Sequence, residues 1–124
     1  MNINLETPST NLFFISYKPG KIVTNQKSYS NSIIMTPNTV INENWSPKNF
    51  NHVTNESFLE ILTLDFEIIL LGTGENQHIP SNEIFKIFFK HGKSLDFMSS
   101  HAACRTFNVL ANEERKVLAA ILSD

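Results

Sequence analysis

The sequence predicts an α/β fold in which a mixed β-sheet is covered by helices. Short β-prone segments with close turn signals fill the first half, and this pattern predicts antiparallel strands because parallel neighbours need long crossovers. In the second half apolar runs alternate with helix-like stretches, an order typical of β-α-β-α-β units with parallel strands. The 124 residues, 41% of them hydrophobic, suffice for one core. We expect a flexible segment over residues 1–11 and a single domain over 12–124.

Turn chemistry divides the first half into four short strands. Turns are predicted at Lys18-Pro19-Gly20, Asn25-Gln26 and Thr36-Pro37-Asn38. The apolar segments between them predict strands over residues 12–15, 22–23, 32–35 and 40–41. The asparagine-rich stretch 42–55 is predicted to be a loop, and Trp45 within it to be a core or loop-anchoring residue.

The next elements are a helix and a buried strand. Phe58, Ile61 and Leu62 have helical spacing, which predicts a helix over residues 56–63 capped by Thr54 or Asn55. The continuous apolar run 66–71 predicts a strand covered on both faces.

Capping residues define two further helices. Ser81 fits an N-cap, Glu83 lies in the first turn, and Gly92 fits the position just after the helix. A short strand is predicted over residues 95–98, followed by a helix that Ser99 or Ser100 caps and that runs to about Asn112. The last segment, 116–122, has the alanine content of a helix and the unbroken apolar run of a strand, so both remain open.

Composition excludes several classes of protein. The formal net charge is −2, and the basic residues are scattered rather than arranged in the stripe that nucleic acid requires. The apolar run 68–71 is far shorter than the roughly 20 residues of a membrane span. The single cysteine, Cys104, cannot form an internal disulfide, and the polar start lacks a signal-peptide pattern. We therefore expect a cytoplasmic protein.

A glycine turn, Gly72-Thr73-Gly74, follows the predicted buried strand. It lacks the full spacing of a phosphate-binding loop, and glycine permits tight turns without any ligand. A structural turn and a direct ligand contact are the two interpretations, and no cofactor is predicted.

A polar stripe on the last long helix provides the candidate ligand crevice. At about 100° per residue, His101, Arg105 and Asn108 share one side of this helix with Asn112. The helix start and the glycine turn lie at the same sheet edge if their strands are parallel neighbours, and a helix N-terminus beside arginine suits an anion. The crevice would comprise Gly72, Thr73, Gly74, His101, Arg105 and Asn108. A solvated helix face is the alternative.

No residue pattern names a reaction. Cys104 lies on the flank of the apolar helix face, so a buried thiol is favoured over a reactive one. The four histidines have no metal-ligand spacing, and one cysteine cannot build a zinc site.

The helix that starts at Ser81 has an unusually wide apolar face. Ile84, Ile87 and Phe88 form the stripe expected to face the sheet, while Phe85 and Phe89 extend the apolar arc beyond half the circumference. The two phenylalanines are either covered by first-half loops or form a contact with a protein partner or a second copy.

Two blocks of the second half resemble a known family. They comprise Leu70 to Gly74, Met98, Ala102-Ala103-Cys104-Arg105-Thr106-Phe107-Asn108-Val109-Leu110, Glu113, and Arg115 through Val117, Ala119, Ala120 and Leu122. The pattern resembles the small domain family of unknown function that includes mitochondrial complex I assembly factor 3 and the adipogenesis-associated domain protein.

The resemblance implies a three-layer α/β domain with a mixed central sheet and no assigned enzymatic activity. It also implies a protein-interaction role, with a respiratory complex subunit or another assembly factor as partner. The family usually has Met-Asp-Thr where this chain has Met98-Ser99-Ser100, tyrosine at Phe107 and glycine at Glu114. The missing aspartate argues against acid–base chemistry at Ser99. A small-molecule or anion-binding domain that uses the crevice is the alternative function.

Overall fold

The computed structural model describes residues 11–124, so the predicted flexible segment lies outside the described residues except for Asn11. Eight strands and two α-helices lie within these described residues. The strands are β1 (Phe14–Lys18), β2 (Lys21–Thr24), β3 (Ser28–Tyr29), β4 (Ser32–Met35), β5 (Val40–Trp45), β6 (Ile68–Gly72), β7 (Ser94–Met98) and β8 (Val117–Ile121). The helices are α1 (Asn82–Lys90) and α2 (Ser100–Asn112), and two short 3₁₀ helices span Phe50–His52 and Asn55–Phe58.

The central sheet has five strands in the order β5-β4-β8-β6-β7. Strands β6, β7 and β8 are mutually parallel where they pair, and β4 runs antiparallel to both β5 and β8. The last segment is therefore a strand, and every residue of β8 is buried, as its unbroken apolar run requires. The predicted β-α-β-α-β order of the second half is confirmed.

The antiparallel strands of the first half divide between two sheets. Strands β1, β2 and β3 form a separate antiparallel sheet, whereas β4 and β5 extend the central one. Because side chains alternate along a strand, the central sheet buries Leu70, Ala119 and Ile121 on one face and Ile69, Leu71 and Leu118 on the other.

Helices and the small sheet cover these two faces. Phe107 of α2 and Phe14 of β1 pack in the first core cluster, with ring centroids 5.2 Å apart. Phe88 of α1 packs in the second cluster against Phe58, at 5.1 Å. The domain thus has three layers with a mixed central sheet, as predicted.

The predicted caps of both helices are confirmed. The Ser81 side chain accepts a hydrogen bond from the Ile84 N–H, and the Ser99 side chain accepts one from the Ala102 N–H. Gly92 follows α1 with a φ of 72°, a left-handed conformation that glycine adopts at little cost.

Several predicted boundaries were wrong. Residues 56–63 form no α-helix; Thr54 caps the 3₁₀ helix Asn55–Phe58, and turns follow it. The predicted loop 42–55 begins with strand residues, since β5 continues to Trp45. The strands predicted over 12–15 and 66–71 are instead Phe14–Lys18 and Ile68–Gly72.

Trp45 is buried, as expected. It is 2% exposed, and its indole N–H donates to the Ser57 carbonyl at 2.8 Å. This bond ties the end of β5 to the second 3₁₀ helix.

Within residues 11–124, no helix is both long enough and apolar enough to cross a membrane.

Candidate functional site

The glycine turn is closed by the start of α2. The Ser100 hydroxyl accepts a hydrogen bond from the Gly74 N–H and donates one to the Leu122 carbonyl, both at 2.9 Å. The Ser100 N–H in turn donates to the Gly74 carbonyl at 2.7 Å. Ser100 is fully buried, so these bonds join the ends of β6 and β8 to α2 in the protein interior.

Both glycines of this turn are crowded by the chain itself. A Cβ atom at Gly72 would lie 2.9 Å from the Ser100 Cα, and one at Gly74, whose φ is 102°, would overlap the Asp124 carbonyl oxygen. Thr73 between them is 2% exposed, and its hydroxyl contacts the Asn76 carbonyl at 2.7 Å. Atoms of Ser100 and Asp124 therefore occupy the space that side chains at these two positions would need.

The polar stripe of α2 borders a small notch beside β1. The notch has a volume of about 110 Å³ and is lined by Phe14, Ile15, Ser16, Tyr17, His101, Cys104, Arg105 and Asn108. The structure thus brings three of the six crevice residues together, whereas Gly72, Thr73 and Gly74 do not line this notch. Ligand pockets generally measure about 300–1,000 Å³. The notch has room for a small ion or a few waters.

Asn108 is bound to the backbone of β1. Its side-chain carbonyl accepts from the Phe14 N–H at 2.9 Å, and its amide donates to the Phe14 carbonyl at 2.8 Å. The side chain therefore occupies the place of a neighbouring strand at the edge of the small sheet. Both polar ends of Asn108 are used by the protein.

His101 and Arg105 are exposed on the same side of α2. The described residues form two ion pairs, Lys27–Glu43 and Lys116–Asp65, and Arg105 takes part in neither. The guanidinium therefore faces solvent at the rim of the notch.

Cys104 is buried beneath the notch at 3% exposure. Desolvation by burial raises the pKa of its thiol to about 12. A thiol with this pKa remains protonated at neutral pH, where nucleophilic and metal-binding chemistry needs the thiolate. The expected core role of Cys104 is confirmed.

A buried polar cluster at the ends of the central strands has no signal in the sequence. The Ser123 N–H donates to the Ser32 hydroxyl at 2.9 Å, and the Tyr17 hydroxyl donates to the Ser123 carbonyl at 3.3 Å. Burial raises the pKa of Tyr17. Serines at strand ends have no characteristic spacing, so only the fold reveals that they meet.

The potential metal ligands lie apart. Among the residues that the structure describes, no three histidine, cysteine or acidic side chains come together as a metal site. His78 stacks on Phe50 with ring centroids 5.1 Å apart, and the Nδ1 atom of His91 lies 2.8 Å from the Ile87 carbonyl oxygen.

The second candidate surface, which we name the aromatic flank, consists of Phe85, Phe89 and Phe97. Phe85 is half-buried and meets Phe97 of β7 edge-to-face, with ring centroids 5.9 Å apart. Phe89 is 83% exposed. The first-half loops thus leave Phe89 uncovered, and the flank lies where α1 crosses the outermost strand of the central sheet.

The chain is similar to a family model and to a bacterial relative over most of its length. The family model described as "Protein of unknown function (DUF498/DUF598)" matches residues 14–122. A Francisella tularensis subsp. holarctica protein, the "13 kDa major membrane protein", is 34% identical over 122 residues, which are 98% of this chain and 99% of the relative.

A bovine relative and a crystal structure extend the comparison. NADH dehydrogenase (ubiquinone) 1 alpha subcomplex assembly factor 3 of Bos taurus is 25% identical over 113 residues, 90% of this chain and 60% of that protein. The crystal structure of a Bordetella parapertussis protein superposes with a TM-score of 0.84 at 29% identity and covers 94% of this chain and 98% of its own. The resemblance that the sequence indicated is confirmed, and the chain belongs to the family of proteins of unknown function described as DUF498/DUF598.

Proposed function

We propose that this protein is a non-enzymatic protein-interaction domain and that its contact surface is the aromatic flank. The observation that carries the proposal is the 83% exposure of Phe89 beside half-buried Phe85 and Phe97. Aromatic residues are enriched at the centres of protein interfaces, where a rigid ring contributes a large contact area. The polar rim next to the flank, with exposed Lys86 and Lys90 on the same helix, is typical of interaction surfaces.

The geometry of the crevice supports the same choice. An enzyme or ligand-binding domain needs a pocket with convergent polar groups. Here the glycine turn is filled by Ser100 and Asp124, and both ends of the Asn108 side chain are bound to β1. Of the six crevice residues, exposed His101 and Arg105 remain for a ligand, at a notch of about 110 Å³.

The partner we propose is a protein of a respiratory complex or another assembly factor. Support for this class comes from the bovine relative, which is named an assembly factor of the NADH dehydrogenase alpha subcomplex. The chain spans 60% of the length of that relative. A shared role of the two proteins is therefore part of the proposal.

We further propose a cytoplasmic location. The free cysteine, Cys104, is consistent with a reducing compartment. The Francisella relative is named a membrane protein, so fractionation of native cells into soluble and membrane-bound pools is the direct measurement. Recovery in the membrane pool after a salt wash would contradict the proposal.

The experiment for the interaction role is affinity capture from native extract with matched variants. Phe89→Ser removes the exposed ring, and Val109→Ser removes a 58% exposed side chain from α2 as the control. We expect wild type and Val109→Ser to retain the same partner and Phe89→Ser to lose it. Recovery of a metabolite without any protein, weakened by Arg105→Ala, would instead favour the anion-binding alternative.

A further inference from the structure

Among the strands that the structure describes, the outermost strand of the central sheet presents a free backbone edge. Within residues 11–124, β7 pairs with β6 alone. The Ser94 N–H donates to the Glu67 carbonyl at 2.9 Å, and the Met98 carbonyl accepts from the Thr73 N–H at 2.8 Å. Alternate residues of a parallel strand bond to the same neighbour. Leu95 and Phe97 therefore direct their N–H and C=O groups outward, away from β6.

This edge is more regular than the edges at β1 and β5. The pairing of β1 is interrupted between Phe14 and Ser16, and Asn108 occupies the backbone groups of Phe14. The pairing of β5 with β4 is interrupted twice. In contrast, β7 pairs with β6 over five consecutive residues without a bulge. A regular edge strand beside apolar surface is a template for an added strand.

The two faces of this edge differ in chemistry. Leu95 and Phe97 pack on the α1 side of the sheet, where Phe85 contacts Phe97. Asp96 lies opposite Leu70 in the register and so points to the α2 side, where it is exposed and takes part in neither ion pair of the described residues. A complementary strand would carry apolar side chains opposite the first two residues and a basic side chain opposite Asp96.

Charge argues against a second copy of this chain as the added strand. A two-fold antiparallel pairing over the full length of β7 is centred on Asp96. Leu95 and Phe97 would then form the hydrogen-bonded pairs, and the two Asp96 residues would form a non-hydrogen-bonded pair with Cα atoms about 4.5 Å apart. Like charges in direct opposition destabilise a strand pair. Asp96 thus disfavours self-association of the edge.

We propose that β7 accepts an extended segment of another protein as a sixth strand, with an apolar–basic–apolar sequence at its centre. This inference rests on the proposed function, because it names the partner chemistry for the surface that includes the aromatic flank. Backbone bonds to Leu95 and Phe97 supply affinity, while Asp96 selects the basic residue.

The test uses nuclear magnetic resonance on the full chain and a seven-residue peptide with valine, lysine and valine at its centre. We expect the peptide to slow hydrogen exchange at the amides of Leu95 and Phe97. A peptide with glutamate in place of lysine should bind up to about fivefold more weakly, and Asp96→Lys should reverse this order. N-methylation of the valine and lysine amides should abolish the protection, because the valine amides face β7 in an antiparallel added strand and the lysine amide faces it in a parallel one.

Four results would overturn the inference. One is unchanged exchange at Leu95 and Phe97 with the lysine peptide, and another is equal affinity of both peptides for wild type and Asp96→Lys. The third is slow exchange in the free protein together with a dimeric mass, which would assign the edge to a second copy. A captured partner that is lost in Phe89→Ser but leaves the Leu95 and Phe97 amides in fast exchange would preserve the proposed function and refute the sixth strand.

Discussion

Replacing Asn108 with alanine removes both side-chain bonds to the Phe14 backbone. Each bond contributes about 1 kcal/mol net to the free energy of unfolding. The partly buried N–H and C=O groups of Phe14 destabilise the fold further if they are left without a hydrogen-bond partner. The higher helix propensity of alanine raises the free energy of unfolding by about 0.6 kcal/mol and so offsets part of this loss. We therefore expect Asn108→Ala to lower the free energy of unfolding by about 1.5–2.5 kcal/mol.

The assay is equilibrium unfolding in urea, with Asn112→Ala as the matched control. Asn112 is exposed near the end of the same helix, so its replacement should change the free energy of unfolding by less than about 0.5 kcal/mol. Equal midpoints for the two variants, at equal slopes, would refute the structural role of Asn108 and return its side chain to the candidate ligand crevice.

Three further predictions concern the same region. Glu114 has a φ of 62° after α2, so Glu114→Gly should raise the free energy of unfolding by about 0.5–1 kcal/mol in urea. Gly72→Ala should lower it by about 1–3 kcal/mol, since the new Cβ meets Ser100. Because the pKa of the buried Cys104 thiol is raised to about 12, its protonated form stabilises the fold fully below the pKa of the unfolded thiol. This stabilisation should fall by up to about 1.4 kcal/mol per pH unit above pH 9, in urea titrations at successive pH values.

Each of these predictions has a contradicting result. A lower unfolding midpoint for Glu114→Gly would mean that the Glu114 side chain makes a stabilising contact that outweighs its backbone strain. A neutral effect of Gly72→Ala would mean that α2 shifts freely away from β6, leaving room for a ligand there. If Cys104→Ala retains the full slope between pH 9 and 11, the slope arises from other groups, among them Tyr17, whose pKa is also raised by burial.

Elements with strong local chemistry were predictable from the sequence. The hydroxyl of Ser81 and the left-handed conformation of Gly92 act within one turn of the backbone, so their residue types indicate the ends of α1 directly. The apolar run of β6 was recognised because a strand between two helices must be covered on both faces.

Elements that depend on distant contacts were not predictable. Phe58, Ile61 and Leu62 are buried as their spacing indicates, but the segment is wound as a 3₁₀ helix and turns that pack on α1. Asparagine has low strand propensity, yet Asn42 and Asn44 lie in β5 because β4 supplies the pairing partner.

The candidate site shows the same division. The helical wheel correctly placed His101, Arg105 and Asn108 on one side of α2, because that arrangement depends on helix geometry alone. Their partners depend on the small sheet, which brings Phe14 to Asn108 across 94 residues of sequence. No local pattern contains this contact, which engages both polar ends of the Asn108 side chain.

We propose that the aromatic flank binds a protein partner. The most direct measurement of this binding is the amount of partner retained in affinity capture by Phe89→Ser relative to Val109→Ser, with both variants shown to unfold at the urea concentration of wild type. We expect the partner to be lost from Phe89→Ser and kept by Val109→Ser. Equal retention by the two variants would contradict it.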